Sequence, residues 1–364
     1  MQTAVVLPCL NEEAYLAETC LSLGFGGDAS PPDTVLILVD NGSTDDTAAV
    51  MEIIKKNTPK TVLLGQTLDR GYVPPRHLGV LMAKSFADEH GVPNEDLLIL
   101  QADADTVYDR TYIASMVSSA LSTPQDLIEG VAQNSKTFLD DYPGYHACCA
   151  IADEAVSSLF VAESDEVIVD DKVAGYRLSE YLKWGGHQRE FDAYGDEIHA
   201  ETSRLFIRAK MHGAGRTRSP EAVAYPSRRK IRADPLGTFV TAGFPRESGW
   251  RERWVESHPV PLLLREFDCA TIGEAAVFIR QIHTLILFAL VPTHVQLALG
   301  QNPIMSLVGS PLAPLLSKVD VSVEILRKAP GRLFEAFFTL AEKEPELFAD
   351  CVKKSECSVS PGVA

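Results

Sequence analysis

The amino-acid sequence predicts an α/β fold, a mostly parallel sheet flanked by helices, with a C-terminal helical extension. Three observations predict it. Short, fully apolar runs alternate with helical patterns over the first hundred residues. Turn and helix-cap residues follow those runs directly. From about Pro261 onward the pattern is helical.

The elements follow in order. Ala4 to Leu7 is an apolar run ended by Pro8, and Leu16, Cys20, Leu21 and Leu23 then share one helix face. Val35 to Val39 is a second run. Asn41 to Asp46 after it supplies a turn, an N-cap and acidic residues for a helix start. Thr61 to Leu64 is a third strand and Leu97 to Leu100 a fourth, with a helix from Pro75 to Glu89 between them. Fully apolar strands split by helices indicate a parallel sheet covered on both faces. Further on, helices are expected at Tyr145 to Phe160, Ser179 to Trp184 and Glu197 to Lys210. Asp234 to Pro261 is rich in Pro, Gly and Trp and reads as a linker or wrapping segment. Helices are expected at Ile272 to Leu290, Pro311 to Leu326 and Leu333 to Lys353, with a frayed tail from Ser355 to Ala364.

Composition narrows the function. The 364 residues are 46% hydrophobic, enough for a core that excludes global disorder. The net charge of −17 argues against nucleic acid or anionic lipid as a whole-surface partner. Seven cysteines with no regular spacing read as reduced thiols, and the chain enters a strand at once, so a cytoplasmic location without a signal peptide is expected. The apolar stretch from Thr284 to Leu299 carries a proline and a histidine. It is expected to be a buried or partner-facing helix and not an integral membrane span.

Ligands of open parallel sheets bind beyond the carboxyl ends of the strands. Those ends read Pro8-Cys9-Leu10-Asn11-Glu12-Glu13, Asp40-Asn41-Gly42-Ser43-Thr44-Asp45 and Gln101-Ala102-Asp103-Ala104-Asp105-Thr106. Asp40 can accept from a base or ribose donor. Asp103 and Asp105, two residues apart, can share a hard cation such as Mg²⁺ or Mn²⁺ that bridges to a diphosphate. Taken singly, the second cluster could be a turn with a cap and the third a solvated loop.

Together with Arg70-Gly71 and Arg76-His77-Leu78-Gly79, these segments resemble a family 2 glycosyltransferase of the GT-A fold, a Rossmann-like sheet. The resemblance covers roughly the first 110 residues. It implies a nucleoside-diphosphate-sugar donor, an unknown hydroxyl acceptor and a divalent metal, Mn²⁺ or Mg²⁺. Pro8, Leu10, Asn11, Glu12, Asp40, Asn41, Arg76, Asp103 and Ala104 would line the donor pocket. Leu10 and Glu12 would face the nucleoside, Asp40 would read the base, and Arg76 would sit near the base or phosphates. Asp105, with Asp103, would hold the metal. Pro74-Pro75 and His77 depart from the family's usual small, asparagine-bearing segment.

Ala174-Gly175-Tyr176-Arg177 and Trp184-Gly185-Gly186 resemble the family's acceptor side. Gly195-Asp196-Glu197 resembles its Glu-Asp motif at a helix start, in reversed order. The resemblance makes Glu197 or Asp196 the catalytic base; the plain alternative is helix N-terminal charge. The family's later histidine is missing, with His212 upstream as a candidate. Arg228-Arg229-Lys230 could hold phosphates or be a solvated turn. The organisation implied is a catalytic domain at 1–234, with a donor half at 1–110 and an acceptor half at 111–234. A linker at 235–260 and a helical region at 261–364 follow. The C-terminal helices would close the acceptor site or form a homodimer contact.

Two other classes compete. A nucleotidyltransferase would carry a Gly-rich, basic loop after the first strand, where this chain has Pro8 to Glu12. A non-catalytic sugar-nucleotide-binding protein would keep the strand-end acids and lose the base. A dinucleotide oxidoreductase lacks its GxGxxG here.

Overall fold

Strand β1 (Gln2–Cys9) lies between β2 (Thr34–Asp40) and β4 (Leu97–Gln101), parallel to both, and β3 (Val62–Gln66) extends the sheet beyond β2. The computed structural model describes residues 1–26, 33–246, 248–257, 263–301 and 307–358. Every residue of β2 and β4 is buried, because helices cover both faces. Alternation then sorts the side chains. Leu7, Leu36, Leu38 and Leu100 pack with the helices Leu16–Ser22 and Tyr112–Ser122 on one face. Val6, Ile37, Val39 and Ile99 pack with the helices Val73–Glu89 and Glu201–Met211 on the other.

Beyond β4 the sheet becomes mixed. β5 (Thr106–Tyr108), β6 (Leu127–Ala132), β7 (Ala174–Arg177) and β8 (Arg216–Pro226) complete an eight-stranded order of β3-β2-β1-β4-β7-β6-β8-β5 among the described residues. β7 is antiparallel to both β4 and β6.

The chain forms two units. The first comprises Met1–Asn134, Val169–Arg189 and Glu201–Ser227, and holds the whole sheet. The second comprises Ser135–Ile168, Glu190–Ala200 and Arg228–Ala364. It is helical around an aromatic core of Phe138, Tyr145, Phe239 and Phe267. Its longest helix, Cys269–Leu285, docks on the helix Pro143–Ser157 through a two-pronged ion pair from Arg280 to Asp153, at 2.8 and 2.7 Å. It continues through a π turn, Ile286–Leu290, into Val291–Ala298. Pro292 explains the turn. Having no N–H, it cannot bond the carbonyl of Phe288, and that carbonyl accepts from the Val161 amide at 3.0 Å. Cys269–Ala298 is long and apolar enough to cross a membrane, yet most of its apolar window is buried in the structure, the packing of a core helix.

Five expectations need correction. Asp234 to Pro261 contains helices at Pro235–Val240 and Ser248–Ser257, the first capped by Asp234; residues 258–261 lie outside the described residues. The single helix expected at Pro311 to Leu326 is two short ones, Ala313–Leu316 and Val323–Lys328, the second capped by Ser322. Leu333 to Lys353 breaks at Pro345 into Gly331–Lys343 and Pro345–Ser358, because proline's ring clashes with the preceding turn. The helix expected from Glu197 opens at Glu201. The tail is helical to Ser358, and residues 359–364 lie outside the described residues.

Candidate active site

The loops leaving β1 and β2 brace one another. Asn11 Oδ1 accepts from the Thr44 amide at 2.8 Å, and the Asn11 amide donates to Ser43 Oγ at 3.0 Å. The Glu12 amide donates to Thr47 Oγ1 at 2.7 Å, and Glu13 Oε2 accepts from the Asp46 amide at 2.8 Å. Asn11 sits at φ +56°, a left-handed conformation asparagine tolerates better than most residues. Its side chain is thereby a brace within the loop pair. Leu10, at 41% exposure, is the open apolar residue of this corner, while Glu12 is buried.

Asp40 ends β2 and is buried. Its Oδ1 accepts from the Ser43 amide at 3.0 Å and its Oδ2 from Gln66 Nε2 at 3.2 Å. Asn41 donates to the Thr67 and Asp69 carbonyls, tying the exit of β3 to that of β2. Pro8 stands in β1 opposite Val39.

At the exit of β4, Ala102 and Ala104 are buried while Asp103 and Asp105 are half-buried. Both stand in the turn that joins β4 to β5. The Asp103 amide donates to Tyr108 Oη at 3.0 Å, and the Asp105 carbonyl accepts from the Ser227 amide at 2.9 Å. Arg76, on the first turns of the helix Val73–Glu89, is buried behind them. Its Nη2 donates to Asp103 at 2.8 Å and to Asp171 at 2.7 Å, and its Nε to Glu201 at 2.9 Å. Three carboxylates surround one guanidinium. Burial, then the charge of Asp171, raises the Glu201 pKa against the pull of Arg76. The neighbouring acids hold Arg76 firmly charged despite its burial.

A second polar chain runs beside this clamp. Thr202 Oγ1 donates to Gln101 Oε1 at 3.2 Å, and Gln101 Nε2 faces His187 Nε2 at 3.5 Å. The His187 amide donates to Tyr181 Oη, whose oxygen is also 3.0 Å from His77 Nδ1. Burial and nearby arginines push the His187 pKa well below the usual imidazole value. His77 therefore belongs to a structural network inside the first unit.

Asp171 and Glu201 belong to the clamp without any mark in the local sequence. Asp171 lies in an acidic stretch before β7, and Glu201 sits inside a predicted helix, so neither carried a local signal. Asp196 and Glu197 do not open a helix. They lie in a tight turn of the second unit, where Asp192 Oδ1 accepts from the Asp196 amide and Glu197 bridges Phe191. Arg228 and Arg229 also belong to the second unit, where Arg228 adds to burial in lowering the His146 pKa. His212 is exposed just past a helix end.

Residues 4–147 match the family model described as Glycosyl transferase family 2. That stretch is similar to a family 2 glycosyltransferase domain. The match spans β1 to β6 and includes the strand-end clusters and Arg76. No curated protein matches this glycosyltransferase. Among solved structures, S. aureus TarS 1–349 is similar over 95% of this chain and 92% of its own, at 15% identity and a TM-score of 0.47. The Pyrobaculum calidifontis mannosyltransferase PcManGT, solved with GDP-Man and Mn²⁺, is similar over 97% of this chain and 86% of its own, at 15% identity and 0.48. Overlap this loose transfers no ligand or residue role to the glycosyltransferase.

Proposed function

We propose that this glycosyltransferase is metal-dependent and inverting, and moves a sugar from a nucleoside-diphosphate donor to a hydroxyl acceptor. One observation carries the reading: Asp40, Asp103 and Asp105 stand at the carboxyl ends of strands that all belong to one parallel set with β1. That is where an open parallel sheet holds a nucleotide.

The acids fit a divalent cation. Asp103 and Asp105 stand two residues apart at the β4 exit, and no group of three such ligands converges among the described residues. Magnesium-like ions are commonly held by one or two carboxylates together with substrate phosphates, so this pair suits the role. When bound, the ion would neutralise charge on the departing diphosphate.

The chain's own residues do the rest. Asp40 accepts hydrogen bonds from the base or ribose, and Leu10 packs against the nucleoside. Arg76 fixes Asp103 so that its carboxylate cannot rotate away. A carboxylate base takes the acceptor's proton as its oxygen attacks the anomeric carbon opposite the leaving group. The bond to the diphosphate breaks as the new glycosidic bond forms, and the configuration inverts.

The test is a thermal-shift screen of nucleoside diphosphates with Mn²⁺. A metal-dependent rise in Tm that disappears in Asp105→Ala supports the proposal. The absence of any shift sinks it.

A further inference from the structure

A cavity of about 540 Å³ lies wholly within the second unit, inside the size range of small-molecule sites. Its walls are aromatic. Phe244 stacks on Phe334 with ring centroids 5.5 Å apart, and the Arg246 guanidinium lies between Phe338, at 4.1 Å, and Trp250, at 4.8 Å. Its polar lining is acidic: six carboxylates, against three cations in Arg246, Arg253 and Lys343. Arg246 and Arg253 both donate to Glu342, at 3.0 and 3.2 Å.

The lip is a loop held from several directions. Glu190 Oε2 accepts from the Gly331 amide at 2.6 Å, and Glu335 Oε1 accepts from the Ala193 amide at 3.2 Å, so both anchor the loop to the helix Gly331–Lys343. Asp192 Oδ1 accepts from the amides of Tyr194 and Asp196, at 2.8 and 2.9 Å. These bonds hold the backbone at Tyr194, whose ring stands at the lip, 88% exposed. Holding this loop costs chain entropy, and the exposed ring leaves apolar surface in water. A ligand that covers the ring offsets both.

We propose that this cavity is a saccharide-binding site, taking an uncharged, hydroxyl-rich ring; that this ring is the acceptor rests on the transferase reading above. Excess carboxylates accept hydroxyl hydrogen bonds and repel phosphorylated or carboxylated ligands. Aromatic walls meet the C–H faces of a sugar ring. Asp196 and Glu197 line the same cavity, which sets a carboxylate beside the docked hydroxyls.

The test titrates the full chain with methyl glucoside, methyl mannoside, lactose and maltose, read by tryptophan fluorescence and calorimetry. Saturable binding is expected, about fivefold weaker in Tyr194→Ala, with glucose 6-phosphate binding less than the neutral sugars. Tyr194 is exposed, so its variant should fold, and circular dichroism checks this. Three results would each overturn the assignment: no saturable response at tens of millimolar, a response unchanged in both Tyr194→Ala and Trp250→Phe, or a preference for the sugar phosphate. Nucleoside diphosphate binding is measured on the same samples. Its loss would remove the acceptor role alone, whereas failure of the saccharide with nucleotide binding intact would remove the cavity assignment alone.

Discussion

Arg76 and Asp103 are joined at 2.8 Å, and the same guanidinium nitrogen also reaches Asp171. The clamp is a buried cation among acids, so its partners depend on it. Removing the cation with Arg76→Met leaves Glu201 buried beside uncompensated charge. A loss of about 3–5 kcal/mol in urea unfolding is expected. Arg76→Lys keeps the charge but loses the fork and should fall between the two. A wild-type midpoint in Arg76→Met would refute the clamp.

Asp40→Asn preserves shape and removes charge. The Ser43 amide can still donate to the asparagine carbonyl, so stability should change by no more than about 1 kcal/mol. Nucleotide affinity should drop about tenfold to a hundredfold, the worth of a hydrogen bond to a charged acceptor. Calorimetry with a nucleoside diphosphate reads this, and unchanged affinity would assign Asp40 to the loop alone.

His187 sets a pH dependence. Its folded pKa lies well below the ordinary value of 6.5, chiefly through burial and then through Arg76 and Arg208. The unfolded chain therefore binds more protons below about pH 6.5, and stability from the neutral ring is lost as pH falls through that value. Denaturation midpoints between pH 7.5 and 5.5 should decline in the wild type and decline less in His187→Gln. Parallel declines would assign the effect to other groups.

Gly79 marks a close approach of helix to sheet. A Cβ there would lie 2.3 Å from Val6 Cγ1, on the central strand β1. Alanine would gain up to about 1 kcal/mol of helix propensity. Overpacking costs about 1–3 kcal/mol, and Val6 is fixed between neighbouring strands, so the steric term wins. Gly79→Ala should lower Tm; a higher Tm would show that the helix shifts freely.

The donor half was legible because its signals are local. Val35 to Val39 reads as a buried strand from its own residues, and Asp40 follows without interruption. β6 and β8 were not read. Leu127–Ala132 contains Glu129, and β8 contains Arg216 and Arg218, whose charges hide a strand. Their meaning is pairwise: Arg216 reaches Glu129 at 2.5 Å across the sheet. The clamp was invisible for the same reason. Nothing near Glu201 in the sequence indicates that it meets Arg76.

Glu201 lies 125 residues beyond Arg76. At about 5–20 residues per second, the ribosome delivers the last acid of the clamp roughly 6–25 s after the arginine. The residues of β1 to β4 are made well before then, and Asp103 and later Asp171 follow Arg76 ahead of Glu201. A nascent chain shorter than this carries a nucleotide corner whose buried arginine is not fully counterbalanced. The clamp therefore closes only once the chain has passed Glu201, an order of charge set by the order in which the chain is made.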